Sequence, residues 1–166
     1  GSNYTSLMAA FRRLGAECEL STDPERIARA SHVVLPGVGS AASAMQAIGE
    51  QNLALVIAAL QQPLLGICLG MQILFDASEE SGIDCLGLIP GRVCQLPVSE
   101  GIRVPHMGWN QVRPVGHTSL LEDVPPGSYF YFVHSYHPAP ELPECILGET
   151  EYAGVTFASA MGRDNL

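Results

Sequence analysis

The chain has 166 residues, of which 47% are hydrophobic and only 15% charged, with a formal net charge of −9. That composition suits one domain with a buried core, and its acidic balance repels phosphate backbones, so nucleic acid is not an expected partner. No apolar run reaches the roughly 18 residues of a membrane span. The five cysteines (Cys18, Cys68, Cys85, Cys94 and Cys145) are odd in number with no CxxC pair, which argues against a disulfide framework or a bound metal and for a reducing, cytoplasmic setting.

Leu7, Ala10, Phe11 and Leu14 recur at helical spacing before Gly15, which predicts an amphipathic helix over about 3–14. Cys18-Glu19-Leu20 reads as a short strand. Thr22-Asp23-Pro24 supplies a capping side chain and a first-turn proline for a short helix through Ile27 and Ala30. Residues 32–35 form an apolar strand that stops at Pro36-Gly37-Val38-Gly39-Ser40. Helices follow over about 41–48 and 52–61, then a buried strand over 63–67 and a helical stretch over 69–75. This alternation predicts an α/β fold, a mostly parallel sheet with helices on both faces. Between 87 and 143 proline and glycine become dense. Runs at 92–96, 111–115, 129–133, 145–148 and 154–160 read as strands, partly antiparallel. With no repeat or linker in view, 1–166 is one domain.

Gly66-Ile67-Cys68-Leu69-Gly70 sits between the second strand and the helix after it. A nucleophile elbow needs this pattern: the turn is sharp, the flanking glycines let strand and helix approach, and the side chain is pushed outward. The start of the following helix also favours the thiolate. The alternative is that Cys68 is a small buried hydrophobe, which is the expected role of the other four cysteines. Gly37 and Gly39, just after the first strand, free the backbone to present amides toward a ligand, although a plain turn would use them too. A cysteine nucleophile needs a base, usually a histidine held by a carboxylate. His32 opens a strand, and His117 lies in a polar loop. His106, His134 and His137 lie in aromatic, proline-rich stretches that suggest a binding surface. None has an acidic partner placed beside it.

GICLGMQ (66–72) with LPGVGS (35–40) upstream resembles the class I, or triad, glutamine amidotransferases. PHMGWN (105–110), YFYFVHSY (129–136) and SEES (78–81) resemble the glutaminase subunit of imidazole glycerol phosphate synthase, along essentially the whole chain. The resemblance implies a flavodoxin-like fold and hydrolysis of glutamine through a thioester on Cys68, with no cofactor. It implies an oxyanion hole from the amides of Leu69 and of Gly37 or Val38. Gly39, Gln72, Ser135 and Tyr136 would bind glutamine. Ammonia would pass to a (β/α)8-barrel synthase subunit in a heterodimer that makes imidazole glycerol phosphate and an aminoimidazole carboxamide ribotide. His106, Met107, Gly108, Trp109 and Asn110 resemble the loop that meets that subunit. For Trp109 and Tyr136 ordinary packing is the competing role. Gln72 competes with a solvated helix position.

Two departures from the family pattern matter. Family members begin with an apolar strand and a D-x-G turn before Asn-x-x-Ser, which Asn3-Tyr4-Thr5-Ser6 matches here, close to Gly1. They carry their catalytic histidine and glutamate in a Q-F-H-P-E segment just after D-N-F, and this chain reaches Asp164-Asn165-Leu166. The first strand and the histidine–glutamate pair are therefore expected to be missing from the 166 residues. Another class I glutaminase, or a non-catalytic domain of the same fold, is the competing reading.

Overall fold

The computed structural model describes residues 2–98, 102–116 and 118–166, without the side chains of Ser2 and Asn3. Gly1 and His117 lie outside the described residues. The first half alternates as expected: helix α1 (Ser2–Arg13), helix α2 (Pro24–Arg29), strand β1 (Val33–Leu35), helices α3 (Ala41–Glu50) and α4 (Ala54–Ala58), strand β2 (Leu64–Gly66) and helix α5 (Leu69–Gln72). The second half is strands: β3 (Phe75–Ser78), β4 (Ile83–Asp84), β5 (Ile89–Gln95), β6 (His106–Gln111), β7 (Arg113–Pro114), β8 (Tyr129–His134), β9 (Tyr136–Pro140), β10 (Ile146–Tyr152) and β11 (Val155–Met161).

β1 and β2 pair in parallel, Val33 opposite Leu64 and Leu35 opposite Gly66. β3 and β5 are the other parallel pair, inside a sheet ordered β4-β3-β5-β9. The later ladders are antiparallel: β5 with β9, β10 with both β11 and β7, and the separate ribbon of β6 and β8. The core lies between the parallel pair, the elbow and these sheets, around Phe75, Ile73, Ile89 and Val93. Each such side chain contributes about 1.5–3 kcal/mol by leaving water.

The helix signal at Asp23 acts as predicted, and Ser40, not read as a cap from the sequence, is one as well. The Asp23 carboxylate accepts from the Glu25 amide. Ser40 and Ser43 form a reciprocal capping box. Several boundaries differ from expectation. Residues 18–20 are not a strand and join no ladder among the described residues. The helix expected over 52–61 is only Ala54–Ala58, since Asn52 takes a left-handed φ of 53°. The stretch after Cys68 is helical for one turn only, and Phe75 then starts a strand opposite Ile89. β9 went unforeseen because it reads Tyr-His-Pro-Ala-Pro. It is the edge of its sheet, where a proline without an N–H is tolerated.

Candidate active site

Cys68 ends the connection from β2 and caps α5, with φ 54° and ψ −117°. Such a backbone is strained for any residue with a Cβ, at a cost of about 1–3 kcal/mol. Its side chain is exposed, so the buried-hydrophobe alternative does not hold. Cys145 is buried, Cys85 and Cys94 are partly so, and Cys18 is exposed, against the core role expected of it.

Three glycines explain how the two loops meet. A Cβ on Gly70 would lie 1.8 Å from the Leu35 carbonyl oxygen, and one on Gly37 would lie 2.2 Å from the Gly70 amide nitrogen and 2.4 Å from Leu69 Cβ. One on Gly66 would meet Met71 Cα at 2.7 Å. The backbone after β1 is thus in direct contact with the start of α5, and no larger residue fits between them. The amide of Ile67 also donates to the Leu35 carbonyl, 3.0 Å. Gly37 and Leu69 are brought together as expected. Leu69 opens α5, so its amide has no acceptor four residues back within the helix. Val38 and Gly39 follow on the exposed side, Gly39 with φ 95°.

A residue with no role assigned from sequence holds that loop from its far end. The Glu80 carboxylate accepts from the amide of Ala41 at 2.6 Å, at the start of α3. Its own amide donates to Ser78 Oγ, 3.1 Å. The SEES segment marked the place, but its long-range partner was not readable.

Gln72 is buried one turn beyond Cys68, and its amide donates to the Cys68 carbonyl, 3.1 Å. Its Nε2 donates to the Tyr136 carbonyl, 3.0 Å. Gln72 is therefore no solvated helix residue, and it grips the main chain at the start of β9. Tyr136 packs partly buried against the core, and the Ser135 carbonyl accepts from Leu96 at 2.9 Å. Cys68, Gln72, His134 and Tyr136 border the same large open cavity, which also runs along α1, β1 and β2; Gly39 and Ser135 do not line it.

The four described histidines are engaged elsewhere. His32 meets Ser31, and His137 meets the Pro138 carbonyl. His106 Nδ1 is 2.9 Å from His134 Nε2, and His134 Nδ1 is 2.9 Å from the Tyr136 carbonyl. Burial and the neighbouring His134 push the His106 pKa down. Burial, aided by His137 and opposed by the bond to Tyr136, pushes His134 down as well.

PHMGWN is not a loop. His106–Gln111 is strand β6, whose alternation sends its residues to two different faces. Met107 (62% exposed) and Trp109 (69% exposed) point outward with Tyr131 and Val133 of β8, and Trp109 meets Tyr131 edge to face at 5.6 Å. Core burial is thereby removed for Trp109. His106 corrects the expectation in the other direction: at 2% exposure it faces inward, stacked between Phe132 and Tyr152, and presents no surface to a partner. Gly108 and Asn110 are half-buried on the same inward register. Tyr131 and Val133, unassigned from sequence, complete the outer apolar face.

The family model for glutamine amidotransferase class-I matches residues 1–164. The imidazole glycerol phosphate synthase subunit HisH of Xylella fastidiosa (strain Temecula1) is 51% identical over 136 residues, 82% of this chain and 68% of that protein. The subunit of the same name from Moorella thermoacetica is 46% identical over 168 residues, 99% of this chain and 79% of that protein. That of Shewanella loihica is 45% identical over 174 residues, 99% and 75%. The chain belongs to the class I glutamine amidotransferase family and, within it, groups with the HisH subunits of imidazole glycerol phosphate synthase.

Proposed function

We infer that this chain is the glutaminase subunit of an imidazole glycerol phosphate synthase, serving histidine biosynthesis by hydrolysing glutamine to glutamate and ammonia. The observation that carries the reading is Cys68: exposed, strained, and held at an elbow whose glycines interlock with the Gly37 loop. Cys68 Sγ attacks the side-chain amide carbon of glutamine. The C–N bond breaks, ammonia leaves with the added proton, and a thioester remains, which water opens to glutamate and free thiol. The amide of Leu69 and one from Gly37 or Val38 face the developing oxyanion, where such donors act most strongly. Gly39, Ser135 and Tyr136 hold the substrate, with Gln72 fixing the Tyr136 main chain. None of the described histidines is partnered to Cys68.

Met107, Trp109, Tyr131 and Val133 form an exposed apolar face on one ribbon. It suits a protein partner with aromatic anchors, and we assign it to the (β/α)8-barrel synthase subunit that receives the ammonia in a heterodimer. A glutamine-analogue electrophile tests the chemistry. Peptide mapping of the natural chain with its partner should place the adduct on Cys68, with loss of ammonia release; turnover that survives Cys68→Ala would overturn the reading. No helix among the described residues is long and apolar enough to cross a membrane, and a cytoplasmic setting is proposed from the biosynthetic role.

A further inference from the structure

Two of the described histidines left out of the chemistry, His106 and His134, form a part-buried chain between the ribbon and the elbow. Its ends determine its polarity. At one end Asn110 Oδ1 accepts from the Gln111 amide, 2.8 Å, and Asn110 Nδ2 donates to the Glu151 carbonyl, 2.8 Å. Turning that amide over would set oxygen against oxygen and N–H against N–H, so its orientation is fixed. The Nδ2 group also lies 3.4 Å from His106 Nε2, which must then accept. His106 Nδ1 therefore carries the proton and donates to His134 Nε2. At the other end the Tyr136 carbonyl can only accept, so His134 Nδ1 carries its proton and Nε2 is a lone pair. The two ends, taken independently, demand the same direction. The Tyr136 oxygen then receives two donors, His134 from the ribbon side and Gln72 from the elbow side. The rings have little freedom to turn: His106 lies 3.9 Å from the Tyr152 ring and 4.9 Å from Phe132, and His134 lies 5.1 Å from Phe157.

We propose that His106 and His134 are positioning residues of the glutaminase, a directed hydrogen-bond chain from Asn110 that sets where the Tyr136 main chain stands relative to Gln72 and Cys68. The chain begins on the strand whose opposite face carries Met107 and Trp109, so it ties the partner side of the ribbon to the substrate side. This rests on the reading of Ser135 and Tyr136 as glutamine-binding. Both rings must be neutral, with the proton on Nδ1. A cationic His134 would turn an N–H toward His106 Nδ1. His106 Nε2 would then have to be a donor facing the Asn110 amide group. Lowered pKa values for both rings agree with the neutral pair.

Two measurements on the natural chain, bound to its barrel partner, test this. Long-range proton–nitrogen NMR at about pH 7.5, above the ordinary histidine pKa, should find both rings neutral with hydrogen on Nδ1. A proton on Nε2 of either ring, or a cationic ring, overturns the chain. His106→Phe keeps the aromatic stack and removes the bonds. It should raise KM for glutamine about tenfold, the scale of one lost buried hydrogen bond, with kcat changed less than about threefold. Adding His134→Phe should produce no further rise, because one chain is cut twice. An unchanged KM, or additive effects, overturns the positioning role. If the unaltered complex hydrolyses no glutamine, the glutaminase reading fails and the positioning role with it, while the proton positions remain a separate result.

Discussion

The elbow and the β6–β8 ribbon are built in opposite ways. At the elbow, backbone meets backbone: the Leu35 carbonyl lies against Gly70, and Gly37 lies against the Gly70 amide and the Leu69 main chain and Cβ. In the ribbon, side chains do the work. Phe132, His106 and His134 fill the inner face and leave Met107, Trp109, Tyr131 and Val133 outside. The difference separates two tasks. A reacting sulfur must be held to within fractions of an ångström, which main-chain contact achieves with the fewest soft torsions. A docking face needs exposed area on a support that is fixed from behind.

The largest effect that could break this comparison is Gly70→Ala. Its new methyl would meet the Leu35 carbonyl, which cannot swing aside, and stability in chemical denaturation should fall by about 3 kcal/mol or more. A loss below about 1 kcal/mol would mean that the loops are not interlocked. On the ribbon, Trp109→Ala should weaken association with the barrel subunit about tenfold or more, read by titration calorimetry. Unfolding of the isolated subunit should shift by less than about 1 kcal/mol, as for an exposed cross-strand pair. An equal loss in both would make Trp109 structural.

A finer contrast lies within the elbow. Cys68→Gly and Cys68→Ala should both abolish turnover, but only glycine relieves the φ 54° backbone. The glycine variant should therefore be the more stable by about 1 kcal/mol. Equal midpoints would deny the strain. The smallest effect concerns pH. The folded protein holds His106 and His134 below the ordinary histidine pKa, so below about pH 6.5 the unfolded chain binds more protons. Stability is then fully present above that value and is lost as pH falls through the window beneath it. Among the described residues Tyr152, Tyr136 and His137 are further titratable residues against the pair, and His137 adds to the effect. Urea unfolding at about pH 7.5 and 5.5 should show a larger loss for the native sequence than for His106→Phe; equal losses would place the titration elsewhere.

Much of the first half was legible because its signals are local. Asp23-Pro24 and the Gly66–Gly70 spacing each act within a few residues, and the structure uses both. β9 was hidden by its prolines, which only an edge position permits. PHMGWN reads as a loop only through its resemblance to a family loop; pairing with β8 makes it a strand, with Gly108 and Asn110 held in it although they are poor strand formers. Residues 18–20 show the converse, a strand-like run that joins no ladder among the described residues.

By itself, then, the sequence determined the family, the elbow around Cys68 and the two glycine loops, because an elbow is a short-range steric requirement written in adjacent residues. Only the tertiary structure decided which face each residue of β6 takes. It sent His106 inward and Trp109 outward, and it joined Asn110, His106, His134, Tyr136 and Gln72 into one line. Those groups come from three separate stretches of chain. Their meeting depends on register between strands, which no local spacing encodes.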